Sequence, residues 1–185
     1  MGSGLLFVVH KHKATSLHYD FRLEIGGVMP SWSIPKGPSL DSGVKRLAMP
    51  TGDHSLEYRT FEGVIPPGQY GAGPVMIWDR GTYDPEAEPS RGVRVKILER
   101  RQAEAAAKME LKEGNLKFFL HGDKLKGSFA LVRTAMSKGK EMWLMIKHRD
   151  EYSVEGYNAG DHDFSAATHR TLDQIVSEES GQRRL

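Results

Sequence analysis

Three histidines and an aspartate lie close together near the start of the chain, in the stretch HKHKATSLHYDFRLE at residues 10–24. Imidazole and carboxylate groups together suit divalent metals of intermediate hardness, such as manganese, iron and zinc. His12, His18 and Asp20 would make a site of two imidazoles and one carboxylate with open coordination positions. Arg22, two residues beyond the carboxylate, adds a planar guanidinium that suits phosphate or carboxylate. The stretch therefore predicts a metal site beside an anion site.

Residues 17–25 alternate strictly between apolar and polar side chains, which is typical of a strand with one buried face. His18, Asp20 and Arg22 then share the polar face, about 6.6–7 Å apart from one to the next. Solvent exposure alone could explain a polar strand face, since many strands have one wet face. A solvated strand usually shows Lys, Glu, Thr and Ser instead, and for this reason we favour metal binding.

A tight hairpin is predicted at the glycine pair 26–27, between this strand and VMPSWSI at 28–34. In the register that follows, Phe21 faces Trp32 on the apolar side. Pro30 predicts an edge or a bulge in the second strand, because proline cannot donate to the ladder.

A second group of candidate residues lies in TGDHSLEYRTFEG at 51–63. His54 titrates near neutrality, and beside a metal and an arginine it could donate a proton or contact phosphate. On its own it is more often a surface histidine, and Tyr58 follows it four positions later. Lys36 begins just past the metal end of the polar face, whereas Arg46 is, from the sequence alone, better explained as a solvated surface residue.

The rest of the chain is rich in short alternating runs between turn residues, which predicts an antiparallel barrel or sandwich with helical additions. Strong helix formers predict one helix at 100–112, and a capping box of Thr171 and Gln174 predicts a second at 171–179. WDRGTY at 78–83 suggests another hairpin. Further strands are predicted at 5–11, 46–49, 74–79, 93–99, 116–121, 128–133 and 142–148.

Composition places few limits on the partner. The 185 residues suit one domain, the net charge is +2 and the pI is about 8.8, which permits a polyanionic partner without requiring one. The absence of cysteine fits a reducing compartment, and no apolar run is long enough to span a membrane. We expect the chain to be cytoplasmic and also to be a monomer.

A different enzyme class could also use part of this pattern. His18-Tyr-Asp20 has the H-x-D spacing of iron-dependent 2-oxo acid dioxygenases, whose facial triad is completed by a distant histidine. His121 with Arg133 could complete such a site. This hypothesis leaves His12 without a role, so we favour it less.

Several long motifs resemble the 3′-phosphoesterase family, which occurs as a domain of bacterial DNA ligase D and as free-standing proteins. The resemblance covers roughly residues 7–152 and is carried by FVVHKHKATSLHYDFRLEIGGVMPSWSIPKGPSLD, DHSLEY, FEGVIPPGQYGAGPVMIWDRGTY and LKFFLHGDKLKGSFALVR. It implies a closed antiparallel β-barrel of about eight strands with one or two peripheral helices. We expect this barrel at 5–158, followed by a polar linker and a short helix or tail at 159–185.

The resemblance also implies an activity and a set of residues. Family members remove 3′-phosphate, and a terminal 3′-ribonucleoside, from a primer strand to leave a 3′-OH. The metal is manganese in preference to other divalent transition metals such as cobalt or zinc. The expected substrates are DNA or RNA-tailed DNA primer-template 3′ ends, and the expected partners are a ligase and a polymerase of an end-joining pathway. Carried over residue by residue, the metal ligands are His12, His18 and Asp20; the residues at the scissile phosphate are Arg22, His54 and Tyr58; and the further basic contacts are Lys36 and Arg46.

The sequence departs from the family pattern at a few positions. His10 stands where the family usually has Gln, Gly52 where it has an acid, and only MGSGLL precedes Phe7, where longer members carry polar residues that assist nucleoside trimming. We expect these departures to affect ribonucleoside trimming more than 3′-phosphate removal. They also keep open a non-catalytic barrel that binds DNA ends and recruits repair enzymes, although binding alone would need neither His12 nor Asp20.

Overall fold

The computed structural model describes residues 1–134, 136 and 138–183. Eight antiparallel strands form a closed barrel in the order β1-β2-β3-β4-β10-β9-β8-β6, and β6 pairs back onto β1. The two remaining strands, β5 and β7, pair with the two ends of β6. The strands are β1 (Leu5–Lys13), β2 (Leu17–Leu23), β3 (Val28–Ile34), β4 (Lys45–Ser55), β5 (Gly63–Ile65), β6 (Gly73–Ser90), β7 (Val93–Lys96), β8 (Asn115–Gly122), β9 (Lys126–Arg133) and β10 (Trp143–Lys147).

The alternation in β2 explains which side of the sheet became the core. Tyr19, Phe21 and Leu23 are buried in the main apolar cluster, which fills the barrel. The predicted hairpin is confirmed, since Phe21 pairs with Trp32 and an isolated bridge joins the two residues that flank the glycine pair. The register of β3 against β4 shifts next to Pro30, as expected for a residue without a backbone N–H.

The hairpin expected at 78–83 is wrong, because β6 runs through this stretch without turning. Gly81 pairs with Phe7 of β1 on one side and with Gly122 of β8 on the other. A Cβ atom at position 81 would overlap the backbone carbonyl of His121. This glycine therefore marks a close approach of two strands where the barrel closes, and not a turn.

Both predicted helices are present, α1 at Arg100–Glu113 and α2 at Leu172–Gln182. The capping box of Thr171 and Gln174 is confirmed at the start of α2. Two short 3₁₀ turns lie at Leu56–Thr60 and Ala159–His162. We refer to the first as the 56–60 turn. Within the described residues, no helix is both long and apolar enough to cross a membrane.

The segment after residue 158 packs closely on the barrel. The Lys11 ammonium lies 2.6 Å from the Asp163 carboxylate, and the Trp78 indole N–H donates to the His162 carbonyl at 2.9 Å. Ile175 of α2 is fully buried in the main apolar cluster. The boundary at 158/159 remains a prediction, and residues 184–185 of the expected tail lie outside the described part of the chain.

Candidate active site

The pairing of β1 with β2 brings the three predicted metal ligands together on the outer face of the barrel. His12 lies directly opposite His18, and Asp20 is two residues further along β2. Ligand atoms of the three residues all lie within 4.8 Å of one another. Asp20 Oδ2 is 3.3 Å from His18 Nε2 and 3.8 Å from His12 Nδ1. Ligands about 2.1 Å from a common metal stand about 3–3.5 Å apart, so small side-chain shifts would complete the site.

The outer nitrogen of each imidazole is held by a backbone carbonyl. His12 Nε2 is 2.7 Å from the Gly71 carbonyl oxygen, and His18 Nδ1 is 3.0 Å from that of Ser16. When these nitrogens donate to the carbonyls, the other nitrogen of each ring presents a lone pair toward Asp20. Such outer hydrogen bonds are typical of metal-binding histidines. The donor set therefore fits a divalent transition metal.

Charge around the carboxylate supports the same conclusion. Burial opposes ionisation of Asp20, but the adjacent His12 and His18 rings and the Arg22 charge hold its pKa well below the usual range. The Asp20 carboxylate, 3.3 Å from its Nε2, raises the pKa of His18. Asp20 is therefore an anion at neutral pH and is available as a ligand.

We refer to the three residues His12, His18 and Asp20 as the metal cluster. Arg22 is buried beside it and connects it to a second group of side chains. Its Nη2 is 3.4 Å from Asp20 Oδ2, and its Nη1 is 3.0 Å from both Ser31 Oγ and His54 Nδ1. Its Nε donates to His10 Nδ1 at 3.1 Å. These contacts fix the guanidinium plane between the metal cluster and His54.

His54 and Tyr58 close the other side of the site, from the end of β4 and the 56–60 turn. Their ring centroids are 4.8 Å apart, and the Arg22 guanidinium lies 5.1 Å from the centre of the Tyr58 ring. Burial, with a smaller effect of the Arg22 charge, lowers the pKa of His54. Burial raises the pKa of Tyr58, so its hydroxyl stays protonated and can donate a hydrogen bond.

His10 is a site residue to which sequence reasoning assigned no role. It is fully buried, accepts a hydrogen bond from Arg22 at Nδ1, and lies 3.1 Å from the Phe61 carbonyl through Nε2. Burial and the Arg22 charge lower its pKa to about 3, so the ring is neutral and can accept from Arg22. Strand alternation could have revealed it, because His10 and His12 lie on one face of β1.

The predicted metal and phosphate residues line one open cavity of about 360 Å³, with the exception of two. Lys36 is exposed beyond the end of β3 and is absent from the cavity wall. Arg46 lies on the same face of β4 as the core residue Ala48, and its Nε is buried without a hydrogen-bond partner among the described residues. The cavity lining includes His12, His18, Asp20, Arg22, His54 and Tyr58, with Ser33, Thr51 and Tyr70 at its walls.

The residues proposed for a dioxygenase triad lie elsewhere. His121 Nε2 is 2.7 Å from Asp84, and Arg133 is paired with Glu141 at 3.1 Å. Neither lines the cavity that holds His18 and Asp20. The structure therefore does not form that arrangement.

Comparison with known proteins agrees with this geometry. A family model described as the DNA Ligase D 3′-phosphoesterase domain matches residues 10–133. The multifunctional non-homologous end joining protein LigD of Pseudomonas aeruginosa is 44% identical over 149 residues, which are 80% of this chain and 16% of that protein. The multifunctional non-homologous end joining DNA repair protein LigD of Mycobacterium tuberculosis is 37% identical over 171 residues, which are 92% of this chain and 20% of that protein.

This chain thus spans no more than about a fifth of the length of these curated relatives. The matched residues contain the clustered histidines, Asp20, Arg22, His54 and Tyr58. The chain belongs to the DNA ligase D 3′-phosphoesterase domain family.

Proposed function

We propose that this chain is a metal-dependent phosphoesterase that removes 3′-phosphate from DNA ends and leaves a 3′-OH. The observation that carries the proposal is the convergence of a two-histidine, one-carboxylate cluster with a buried arginine in one open cavity. The relatives are named as multifunctional non-homologous end joining proteins, which supports a role in preparing ends that can be extended and ligated. We infer the same setting here, in the cytoplasm, with a ligase and a polymerase as partners of a monomeric chain.

His12, His18 and Asp20 would hold the metal, for which we propose manganese. When bound, the metal would supply a Lewis acid for a phosphate oxygen and a more acidic water. Arg22 would bind the other phosphate oxygens, because its fork of N–H donors matches phosphate geometry. Its long contact with Asp20, at 3.4 Å, is the weakest of its hydrogen bonds and the easiest to exchange for substrate.

His54 is placed to change its protonation state with the substrate. Its Nδ1 is 3.0 Å from Arg22 Nη1 and 3.1 Å from the Gly52 carbonyl, so the neutral ring accepts from Arg22 and the protonated ring donates to Gly52. A bound phosphate would raise the pKa of His54, which is lowered in the free site. The protonated ring would then give its Nε2 proton to the leaving 3′-oxygen.

Tyr58 would donate its hydroxyl proton in a hydrogen bond to the phosphate, and removal of one such donor costs about 2.7–4 kcal/mol of transition-state stabilisation in comparable sites. We also propose trimming of a terminal ribonucleoside as a weaker second activity. The exposed Gly52 adds no side chain to the cavity wall beside His54. Lys36 and Arg46 remain proposed phosphate contacts that would have to come from outside the cavity described above.

The decisive experiment uses a labelled primer-template with a 3′-phosphate, with and without manganese. Wild-type protein should release inorganic phosphate only with the metal, and His18→Ala should lose at least about 100-fold in rate. His169→Asn, at an exposed histidine outside the site, is the control. Unchanged turnover in His18→Ala would refute the metal assignment. End binding that survives EDTA, with no product formed by wild-type protein, would favour the non-catalytic barrel.

The same assay tests the trimming activity. A second primer that ends in a single ribonucleotide should lose its terminal nucleoside more slowly than the first primer loses phosphate. Equal rates on the two primers would contradict our ranking of the two activities.

A further inference from the structure

A second cavity lies on the other side of the 56–60 turn from the active site, on the same outer face of the barrel. Its volume is about 470 Å³. Tyr58 of the turn lines the active site, whereas the next residues along the chain, Arg59 and Thr60, line the second cavity. The floor includes Leu6 and Val8 of β1, which continue the strand that carries His10 and His12.

Positive charge dominates this second cavity. Among the described residues, neither Arg59 nor Arg80 forms an ion pair, although both line the cavity. Arg59 donates one N–H to the Leu56 carbonyl at 2.8 Å and keeps its remaining donors. One carboxylate, that of Asp123, also lines the cavity and offsets one of the two charges. Two guanidinium groups without acidic partners indicate an anionic ligand.

The strand register sets the distance between the two cavities. Val8 pairs with Arg22 of β2 on one side and with Arg80 of β6 on the other. Cross-strand neighbours share a face and lie about 4.8 Å apart, so the backbones at Arg22 and Arg80 are separated by about 10 Å. One strand of a DNA duplex rises about 3.4 Å per nucleotide. Because each strand also winds around the helix axis, consecutive phosphates lie roughly twice that rise apart in a straight line, so the two arginines are spaced for phosphates about one or two nucleotides apart.

We propose that the second cavity binds a backbone phosphate of the nucleic acid about one or two nucleotides inside the 3′ end, with Arg59 and Arg80 as its ligands. This inference rests on the proposed function, because it takes the phosphate at Arg22 as the terminal one. The second cavity would bind the DNA backbone while the active site binds the 3′ end. Affinity would then depend on the length of the strand and on salt, and not on base sequence.

The double substitution Arg59→Ala, Arg80→Ala tests this site. In EDTA, the slope of log K against log salt for a fluorescent primer-template should become smaller by about 1, since each phosphate that is no longer neutralised removes about 0.9. The matched control is Arg91→Ala, Arg101→Ala, which removes the same charge from exposed positions outside both cavities. An unchanged slope, or an equal change in the control, would overturn the proposal.

Kinetics give an independent measure. We compare kcat/KM for a primer-template of about ten base pairs with kcat/KM for a nucleoside 3′-monophosphate. The ratio of the first value to the second should fall about 10-fold in the double variant, because KM for the long substrate rises. An unchanged ratio would overturn the proposal. Arg80→Ala alone should reduce the salt slope by a measurable part of this change, up to about 1. Because Arg80 makes no side-chain hydrogen bond among the described residues, this variant tests the site without loosening the 56–60 turn, where Arg59 donates to the Leu56 carbonyl.

The binding experiment also separates the two proposals. If wild-type protein released no phosphate, the proposed function would fail, while the salt slope in EDTA would still show whether Arg59 and Arg80 contact DNA.

Discussion

Arg22 is the residue on which the geometry of the candidate active site depends most. Its guanidinium contacts Asp20 of the metal cluster, Ser31 of β3 and His54 at the end of β4. These partners come from three strands, so the position of the guanidinium depends on how all three strands are arranged around the site. His10 accepts the hydrogen bond from Nε and therefore fixes the plane of the fork.

This arrangement predicts a positioning role for His10. His10→Ala should reduce kcat for phosphate release about 10- to 100-fold, because a small displacement of a phosphate-binding group is costly. His10→Gln should keep most of the activity, since its amide can accept from Arg22 and donate to the Phe61 carbonyl.

Metal titration by calorimetry supplies the control for His10. Manganese affinity should be nearly unchanged in both variants, because His10 is not one of the clustered ligands. If His10→Ala retained full kcat, or lost the metal, the positioning role would be wrong.

At the scale of single elements, helix α1 carries a glutamate, Glu110, in an environment that disfavours the ionised carboxylate. Glu110 is partly buried, and burial raises its pKa to about 7, although the Lys117 amide donates a weak hydrogen bond to it at 3.4 Å. The folded pKa exceeds the unfolded one, so the protonated acid favours the folded state at low pH. This contribution is lost as the pH rises from about 4.5 through 7.

Glu110→Gln should therefore raise the free energy of unfolding by about 1–2 kcal/mol at pH 8. The gain should largely disappear at pH 5, where the wild-type acid is protonated in the folded state. Urea denaturation at the two pH values measures it, with the exposed Glu155→Gln as control. A gain of the same size at both pH values would contradict the pKa assignment.

The helix α2 tests whether the tail belongs to the folded unit. Ile175→Ala should cost about 2–4 kcal/mol of unfolding free energy, because Ile175 is fully buried against the barrel. Val176→Ala, at a position that is 38% exposed, should cost less than about 1 kcal/mol. Tryptophan fluorescence in urea reports the barrel, since Trp32, Trp78 and Trp143 are buried in its apolar core. An unchanged midpoint in Ile175→Ala would show that the tail folds independently.

At the scale of the whole molecule, the barrel uses its two faces for different purposes. The inner face carries the apolar core, and the outer face of β1, β2 and β6 carries the candidate active site and the second cavity. The closure of β6 onto β1 places Arg80 two strands from Arg22. Both sites therefore depend on the same closed sheet.

Closure predicts a large effect of a small substitution. Gly81→Ala should cost at least about 3 kcal/mol, because the added methyl group would overlap the His121 carbonyl and force β6 and β8 apart. Gly181→Ala in α2, where a Cβ atom meets no atom within 4 Å, is the matched control and should be neutral or stabilising. Thermal unfolding of the two variants measures the difference, and equal melting temperatures would contradict our account of closure.

The metal cluster and Arg22 could be predicted from the sequence because they depend on local geometry. Strand alternation places His18, Asp20 and Arg22 on one face of β2, and a short connection returns the chain from His12 to His18. The Gly-Gly hairpin and both helices follow from turn and capping chemistry, which also acts over a few residues.

Only the tertiary structure decided which distant segments meet. His10 supports Arg22, the tail packs on the barrel, and Gly81 lies where two strands approach closely and not in a turn. Each of these features depends on contacts between residues far apart in the chain, so the sequence pattern did not reveal them. Lys36 and Arg46 were assigned by resemblance, and the fold leaves both outside the cavity wall. A local pattern determines which way a side chain points from its own strand, whereas the closure of the barrel determines what that side chain faces.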